Sequence, residues 1–384
     1  MLASSTRILT THAGSLPRPR TLTELLVRAS RGERVDAAAL EAEIRAAVER
    51  AVAQQRAFGI DVGNDGEQGR ESFFTYVRNR MSGFGGESQR PLMRDLTAWP
   101  GFLETMLPHY TRGSVSLMSA PKAVGPVRYE SRTALDADLA RFAGASAQAG
   151  FAETFWTVPS PGIVACAMTN AHYPSLDAYV DAVAEALRVE YEAVAAAGHV
   201  LQVDAPDLAM ERHTLFADRP EREFLAFVDA TVAALNRALS QVPRDRVRLH
   251  VCWGNYEGPH TEDIALDALL PHLLEARVGA LVLSMANPRH GHEHRVLAQR
   301  GFPKQCVLVA GVIDPTTNYV EHPELVAERI EQAARAIDDP HRVLAGTDCG
   351  FDTAAGMGQV AESVVWEKLR ALAAGAELAT RRLL

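Results

Sequence analysis

The stretch Val247-Arg-Leu-His-Val-Cys-Trp253 has the pattern of a β-strand that carries two potential metal ligands. Residues two apart on a strand point to the same face, so His250 and Cys252 can bind one ion together, with Cys349 completing the site from a distant strand. Imidazole plus two thiolates suits zinc, and three protein ligands leave one position for water or substrate. A buried cysteine can also be a small apolar residue, so the pattern alone leaves both interpretations open.

Strands of this kind alternate with amphipathic helical segments along the chain. Continuously apolar runs such as Ala280-Leu-Val-Leu283 are typical of a parallel sheet buried on both faces. Eight strands favour an α/β fold of the (β/α)8 TIM barrel type over a doubly wound open sheet. The predicted strands are Ile8–Thr11, Ile60–Asp65, Glu153–Val158, Val200–Asp204, Val247–Trp253, Ala280–Met285, Val307–Ile313 and Arg342–Gly346, and the predicted helices are Asp36–Phe58, Ser175–Ala197, Glu221–Ser240, Pro323–Ile337 and Ala361–Ala374.

The chain is expected to form one barrel domain, 1–384, with an insertion at about 68–131 after the second strand. This segment is rich in Gly, Arg, Ser and Pro and does not fit a strand–helix unit, although a hairpin is predicted around Val115–Met118. Insertions on the strand-to-helix side of a barrel usually contribute to the active site.

Composition limits the classes of function. Apolar residues make up 47% and charged residues 23% of 384 residues, which is ordinary for a globular protein. The net charge of −9 argues against nucleic-acid binding. No signal peptide and no membrane-spanning apolar run are evident, so a cytoplasmic protein without membrane contact is predicted. Four cysteines are few for this length and are expected to be reduced, with structural roles for Cys166 and Cys306.

Polar residues gather directly after the predicted strands. In a barrel, such segments converge on one mouth, where barrel enzymes carry out their chemistry. The clusters are Thr10–Arg18, Asn64–Arg70, Val203–Asp207, His250–Glu257, Asn287–His294, Ile313–Asp314 and Thr347–Cys349.

Five different short motifs follow one another along the chain: Ala13-Gly-Ser-Leu-Pro17, Asp65-Gly-Glu67, Gln202-Val-Asp204, His250-Val-Cys252 and Asp348-Cys-Gly350. They resemble those of the cobalamin-independent methionine synthase superfamily, specifically its short single-barrel subgroup, which includes epoxyalkane:coenzyme M transferase. The resemblance runs from about His12 to Asp352. It implies a (β/α)8 barrel and a Zn²⁺ ion that binds the acceptor thiol as a thiolate.

The resemblance also implies substrate contacts. Glu67 and Asp204 match the acidic positions that hold the ammonium group of homocysteine, and Ser15 matches a contact to its carboxylate. Methionine synthases have a further zinc ligand, a Glu, where this chain has Ser284. A neutral serine is a poor zinc ligand, so a three-residue zinc site is expected. Structural alternatives stay open for both acids: a capping or loop carboxylate for Asp204, and a surface ion pair with Arg70 for Glu67.

A leaving group must be protonated near the zinc, and the candidate proton donors are His12, His290 and His292 by position alone. The family's catalytic His after the seventh strand has no counterpart, because a proline follows Asp314, although Asp314 can still orient a donor. The alternating histidines of 290–294 also allow a second metal site, but they are expected rather to border the first.

Trp253 and Tyr256 directly follow the metal ligands and can stack on a pterin or enclose the thiol, with barrel-rim packing as the alternative. Four arginines can receive a carboxylate, polyglutamate or sulfonate: Arg18, Arg70, Arg78 and Arg289.

Three functions follow as hypotheses. The first is a zinc-dependent transferase that moves a methyl or small alkyl group, for example from methyltetrahydrofolate, onto a homocysteine-type thiol. The second is thiol addition to an epoxide, as in epoxyalkane:coenzyme M transferase, which the missing Glu favours. The third is a zinc- or thiol-binding barrel without catalysis. The expected partners are a small-molecule thiol and a methyl or alkyl donor, and the sequence leaves the oligomeric state open.

Overall fold

The computed structural model describes residues 1–111, 113–117 and 120–384. Its strands in chain order are β1 (Leu9–Thr10), β2 (Val62–Gly63), β3 (Phe84–Gly85), β4 (Lys122–Ala123), β5 (Glu153–Pro159), β6 (Val200–Asp204), β7 (Val247–Val251), β8 (Ala280–Leu283), β9 (Val307–Ile313) and β10 (Val343–Thr347). Within the described residues, eight strands form one parallel sheet in the order β1-β10-β9-β8-β7-β6-β5-β2.

The sheet is brought round into a barrel by a backbone hydrogen bond from Asp61 N to Thr10 O (3.1 Å), which links the β2 and β1 segments. The strand order follows the chain around the ring, without the reversal of a doubly wound sheet, so the predicted (β/α)8 barrel is confirmed. β1 and β2 are shorter than the predicted strands Ile8–Thr11 and Ile60–Asp65. One reason is that the Asp61 carboxylate accepts the N–H of Thr10 (3.1 Å), which a longer ladder would use.

The structure describes thirteen α-helices. They are α1 (Arg20–Ser30), α2 (Ala37–Ala57), α3 (Arg94–Thr97), α4 (Pro100–Thr111), α5 (Thr133–Ser146), α6 (Pro161–Ala167), α7 (Leu176–Ala196), α8 (Asp207–Met210), α9 (Glu221–Ala238), α10 (Leu266–Leu273), α11 (His294–Arg300), α12 (Pro323–Ile337) and α13 (Glu362–Leu383), with 3-10 turns at Thr75–Asn79, Glu211–His213, Arg244–Arg246 and Pro340–Arg342. All five predicted helices are present. In the described part of the chain, no helix combines the length and apolarity that crossing a membrane requires.

The last helix is longer than predicted, because α13 continues past Ala374 to Leu383. Gly375 lies inside this helix, where glycine costs roughly 1 kcal/mol relative to alanine. Its lack of a side chain allows close packing on α12, since an added Cβ would lie 2.4 Å from the Val326 side chain. Contact between the two helices therefore outweighs the weak helix propensity of glycine.

The insertion at 68–131 consists of short elements: a 3-10 turn, α3, α4 and the antiparallel pair of β3 and β4. The hairpin predicted around Val115–Met118 lies partly outside the described residues, because Met118 is not described. Residues 115–117 are not assigned to a strand, and the antiparallel pair joins Phe84–Gly85 to Lys122–Ala123 instead.

The interior of the barrel is layered. Seven strands each contribute one apolar side chain to a buried cluster: Leu9, Val62, Phe155, Val200, Val282, Val309 and Leu344. Two residues further along β6, Gln202 also points inward, because side chains alternate between the faces of a strand. Its register partner on β7 is Arg248, so a polar layer lies next to the apolar one on the side of the strand ends.

Arg248 is fully buried and fixes this polar layer. Its Nε donates to Gln202 Oε1 (2.7 Å), its Nη1 to Thr11 Oγ1 (3.2 Å) and its Nη2 to His12 O (3.1 Å). The guanidinium also stacks over the Phe155 ring at 3.7 Å from the centroid. One cation thus connects β5, β6, β7 and the segment after β1.

We expect Arg248→Met to lower the free energy of unfolding by roughly 2 to 4 kcal/mol, because the substitution leaves buried acceptors without donors. Urea denaturation measures this. Arg20→Met is the control, since Arg20 forms an exposed ion pair with Glu24 and its replacement should change stability by less than about 0.5 kcal/mol. Equal stability of the two variants would contradict a structural role for the buried cation.

Candidate metal centre and active site

The three predicted metal ligands meet at the mouth of the barrel. His250 lies near the end of β7, Cys252 directly follows that strand, and Cys349 comes two residues after β10. The two Sγ atoms are 3.9 Å apart, and one ligand atom from each of the three residues lies within 4.8 Å of the others. All three side chains are buried.

His250 supports a metal at this place most directly. Among the described residues, neither of its ring nitrogens has a hydrogen-bonding partner, although the side chain is buried. A buried polar group without a partner costs about 1 to 3 kcal/mol, whereas a metal bond would satisfy one nitrogen. The hydrogen bond between the two thiols lowers the pKa of Cys252 well below its usual range, and the same contact raises the pKa of Cys349. The donor set therefore fits zinc.

Ser284, which the resemblance predicts to replace a zinc-binding Glu, is hydrogen-bonded to another part of the protein. Its Oγ donates to the backbone O of Asp348 (3.0 Å), next to Cys349. The Asp348 carboxylate in turn accepts the backbone N–H groups of Met285, Ala286 and Asn287, each at 2.8 Å. This clamp holds the loop after β8 against the loop that carries Cys349. This clamp was not predicted from the sequence, although Asp348 belongs to the motif Asp348-Cys-Gly350.

The three predicted substrate contacts line the same cavity as the metal ligands. This cavity has a volume of about 690 Å³, and Ser15, Glu67 and Asp204 share it with His250, Cys252 and Cys349. The register of the sheet explains part of the arrangement, since Asp204 and His250 are paired residues on neighbouring strands. The carboxyl ends of parallel strands meet at one edge, as predicted.

Glu67 is held in a tight turn at the cavity wall. Its backbone is left-handed (φ 57°), its side chain is buried, and its Oε1 accepts a hydrogen bond from Thr157 Oγ1 (3.0 Å). Oε2 has no hydrogen-bonding partner among the described residues. Burial raises the pKa of Glu67 despite the nearby Arg70 and Arg18. The carboxylate is thus oriented and has one oxygen available for a cation.

Asp204 is also buried and oriented. Gln202 Nε2 donates to Asp204 Oδ1 (2.6 Å) and to the backbone O of Ala13 (2.6 Å). Burial raises the pKa of Asp204 to about 7, with an opposing effect from His250. The structure therefore places two buried acids on the wall of one cavity, where a positively charged group would be favoured.

The predicted proton donors are separated from this wall. The described residues that line the cavity do not include His12, whose Nε2 contacts Gln55 Oε1 (2.8 Å) and whose Nδ1 accepts from Gly14 N (3.2 Å). His290 and Asp314 line an adjacent cavity of about 340 Å³, which also borders Cys349. His292 is exposed.

Trp253 and Tyr256 occupy different positions. Trp253 is buried, donates from Nε1 to Ile264 O (2.7 Å) and stacks on His290 at a centroid distance of 4.0 Å. Tyr256 lines both cavities, and its hydroxyl donates to Asp95 Oδ2 (2.9 Å) in the insertion. Tyr256 is therefore the one of the two that borders the larger cavity.

The insertion supplies much of the larger cavity's wall, and most of that wall is apolar: Phe73, Phe74, Leu92, Met93, Leu96, Leu103, Val115 and Leu117. Of the four arginines considered from sequence, only Arg78 lies among the described lining residues, paired with Glu71 (2.9 Å). Arg18 is bound to Asp352 (2.9 Å). The apolar wall was not predicted, because the short elements of the insertion give no repeating apolar pattern in the sequence.

Fold and site together define the class of protein: a (β/α)8 barrel with a thiol-rich candidate metal centre at its mouth. The family model described as cobalamin-independent synthase, catalytic domain, matches residues 161–367, and the chain belongs to this family. The superfamily recognised from the motifs is thereby confirmed.

Individual relatives agree with this membership. A methionine synthase of Sulfolobus acidocaldarius is 26% identical over 89% of this chain and 85% of its own length. A 2-hydroxypropyl-CoM lyase of Xanthobacter autotrophicus is 25% identical over 41% of this chain and 46% of its own. In fold, the chain is similar to a B12-independent methionine synthase from a Shewanella species solved in complex with selenomethionine, with a TM-score of 0.73, 23% identity and coverage of 98% of both chains.

Burial lowers the pKa of His12 to about 4, so the folded protein binds this proton more weakly than the unfolded chain does. Below the ordinary pKa near 6.5, the unfolded state therefore gains a proton first, and stability falls as the pH falls towards about 4. Between about pH 7 and pH 4.5, the wild type should lose roughly 2 kcal/mol more stability than the His12→Gln variant. Denaturant melts at both pH values test this, and exposed His172→Gln should leave the loss unchanged.

Proposed function

We propose that this chain is a zinc-dependent transferase that moves a methyl or small alkyl group onto a substrate thiol, with a homocysteine-type acceptor and a methyltetrahydrofolate-type donor. The observation that carries the proposal is the shared cavity, in which the three metal ligands and the two buried acids face one space. The methionine synthase names of its relatives support the same reaction class. We also propose that 1–384 acts as a single barrel domain and that the protein is cytoplasmic.

Bound by His250, Cys252 and Cys349, a zinc ion would keep a thiol deprotonated at neutral pH and so supply the nucleophile. The chain's own residues bind and orient the rest of the acceptor. Glu67 Oε2 has room to accept an ammonium N–H, and Asp204 presents a second carboxylate whose position Gln202 fixes.

Ser15 completes the proposed acceptor site. It lines the cavity, and its Oγ accepts the N–H of Asp352 (3.3 Å), which leaves the hydroxyl proton to donate to a substrate carboxylate. An ammonium bound near Glu67 and Asp204 would offset the cost of burying these two charges.

Protonation of the leaving group requires a proton-donating group next to the substrate that supplies the methyl or alkyl group. Of the candidates, His12 and His290 already use both ring nitrogens. Asp314 uses Oδ1 for Thr316 and lines the adjacent cavity beside Cys349. We therefore assign to Asp314 the orientation of a proton-donating water.

Thiol addition to an epoxide is the second candidate function. Ser284 favours it, because its hydroxyl is used for Asp348 O in place of the acidic ligand of methionine synthases. The apolar wall from the insertion would suit an alkyl epoxide. The partial match to a 2-hydroxypropyl-CoM lyase points in the same direction.

Turnover assays separate the two. The zinc-loaded protein is incubated with homocysteine and methyltetrahydrofolate, and in parallel with 2-mercaptoethanesulfonate and a short epoxyalkane. Methionine formation supports methyl transfer, and a hydroxyalkyl thioether supports epoxide opening. No thioether product from either pair would overturn both.

Replacement of either thiol ligand should abolish metal binding and activity together. Cys252→Ser and Cys349→Ser are each expected to lose one zinc per chain by elemental analysis and to lower kcat at least about 100-fold, since three ligands leave no surplus donor. Cys166→Ser, a buried cysteine outside the site, is the control. Full zinc content in both ligand variants would eliminate the proposed centre.

Glu67→Gln tests recognition of the amino group. We expect the KM for homocysteine to rise about 10- to 100-fold, because a hydrogen bond to a charged partner contributes about 1.5 to 3 kcal/mol. The KM for 2-mercaptoethanesulfonate, which has no amino group, should not change. Glu71→Gln is the matched control, as this carboxylate lines the same cavity but is paired with Arg78. An equal effect on both thiols would contradict ammonium binding by Glu67.

A further inference from the structure

A second group of potential metal ligands lies beside the first, on the loops that follow three consecutive strands. We refer to His213, His260, Asp263 and His290 as the histidine cluster. His213 ends the 3-10 turn after β6, His260 and Asp263 lie in the loop after β7, and His290 lies in the loop after β8.

Asp263 is at the centre of the cluster. Its Oδ2 lies 2.8 Å from His260 Nδ1 and 2.8 Å from His290 Nε2, and its Oδ1 lies 3.4 Å from His213 Nε2. Ligand atoms of His260, Asp263 and His290 all fall within 4.8 Å of one another. Three imidazoles thus converge on one carboxylate.

The cluster contains buried polar atoms that the described protein does not satisfy. The His213 and Asp263 side chains are each 1% exposed. Among the described residues, both ring nitrogens of His213 and Oδ1 of Asp263 have no hydrogen-bonding partner. Such atoms are rare in native interiors, and His213 Nε2 lies 3.4 Å from Asp263 Oδ1.

The outer contacts are those of metal-binding histidines. His290 directs Nε2 into the cluster and contacts Glu293 Oε2 with Nδ1 (2.9 Å). His260 directs Nδ1 inward and contacts the backbone O of Tyr256 with Nε2 (3.1 Å). Metal ligands of this type usually donate their other ring N–H to a carboxylate or a carbonyl, which fixes the tautomer and the ring orientation.

The charges are also suited to a cation. Two carboxylates, those of Asp263 and Glu293, contact the His290 ring, and a divalent ion would balance their negative charge.

We propose that the histidine cluster binds a divalent transition-metal ion, distinct from the ion at the thiol centre. His260, Asp263 and His290 supply two imidazole nitrogens and a carboxylate oxygen, a donor set that suits zinc, and His213 lies beside them at Asp263 Oδ1. The ion would hold the loop after β7, which begins at Cys252 and carries Trp253, against the loop after β8. The site does not depend on the proposed transferase function.

Cobalt(II) titration of the metal-free protein tests this, because thiolate ligands give cobalt a near-ultraviolet charge-transfer band that imidazole and carboxylate ligands do not give. We expect the wild type to bind two cobalt ions per chain, of which one produces the band. The double variant Cys252→Ser with Cys349→Ser should lose the band and still bind one ion. Asp263→Asn with His290→Gln should keep the band and bind one ion fewer.

His292→Gln is the matched control, since this neighbouring histidine is exposed and lies outside the cluster, and it should still bind two ions. A wild type that binds a single cobalt ion, all of it with thiolate absorption, overturns the proposal without depending on the folding of any variant. One ion without the band would instead retain the histidine cluster and remove the thiol centre.

Discussion

The arrangement of the site depends on a buried cation inside the barrel. The Arg248 guanidinium can only donate hydrogen bonds, so it selects the oxygen of the Gln202 amide. The NH₂ end of that amide is then directed to Asp204 and to Ala13 O. Asp204 is the register partner of His250. The cation therefore helps to position an acidic group next to a potential metal ligand.

The sequence was sufficient for features that follow from a repeating period. Strand alternation placed His250 and Cys252 together, and the rule that parallel strands end at one edge brought Cys349 to them from a distant part of the chain. The same rule predicts that the segments containing Ser15, Glu67 and Asp204 meet at this mouth, whereas their roles as substrate contacts stay a prediction from the resemblance. Contacts between loops have no period, so the clamp of Asp348 on the loop after β8 and the lining from the insertion could not be predicted.

The histidines show what a two-residue spacing leaves undecided. His290 and His292 alternate, but such a spacing gives a shared direction only on a strand, and these residues lie in a loop of turns. In the structure His292 is exposed, whereas His290 meets His260 and Asp263 from the preceding loop. A ligand set drawn from three loops is visible only after the fold has brought their ends together.

Ser284 and Asp348 join the loop after β8 to the loop that carries Cys349. The resemblance implies an acidic zinc ligand in methionine synthases at the position of Ser284. Here the hydroxyl donates to Asp348 O, and the Asp348 carboxylate is occupied by three backbone N–H groups of the loop after β8. Two thiolates and one imidazole would leave a bound zinc ion formally neutral, whereas a further acidic ligand would make the centre anionic. Under the proposed function, the metal would activate the thiol, and Glu67, Asp204 and Ser15 would bind the rest of the acceptor.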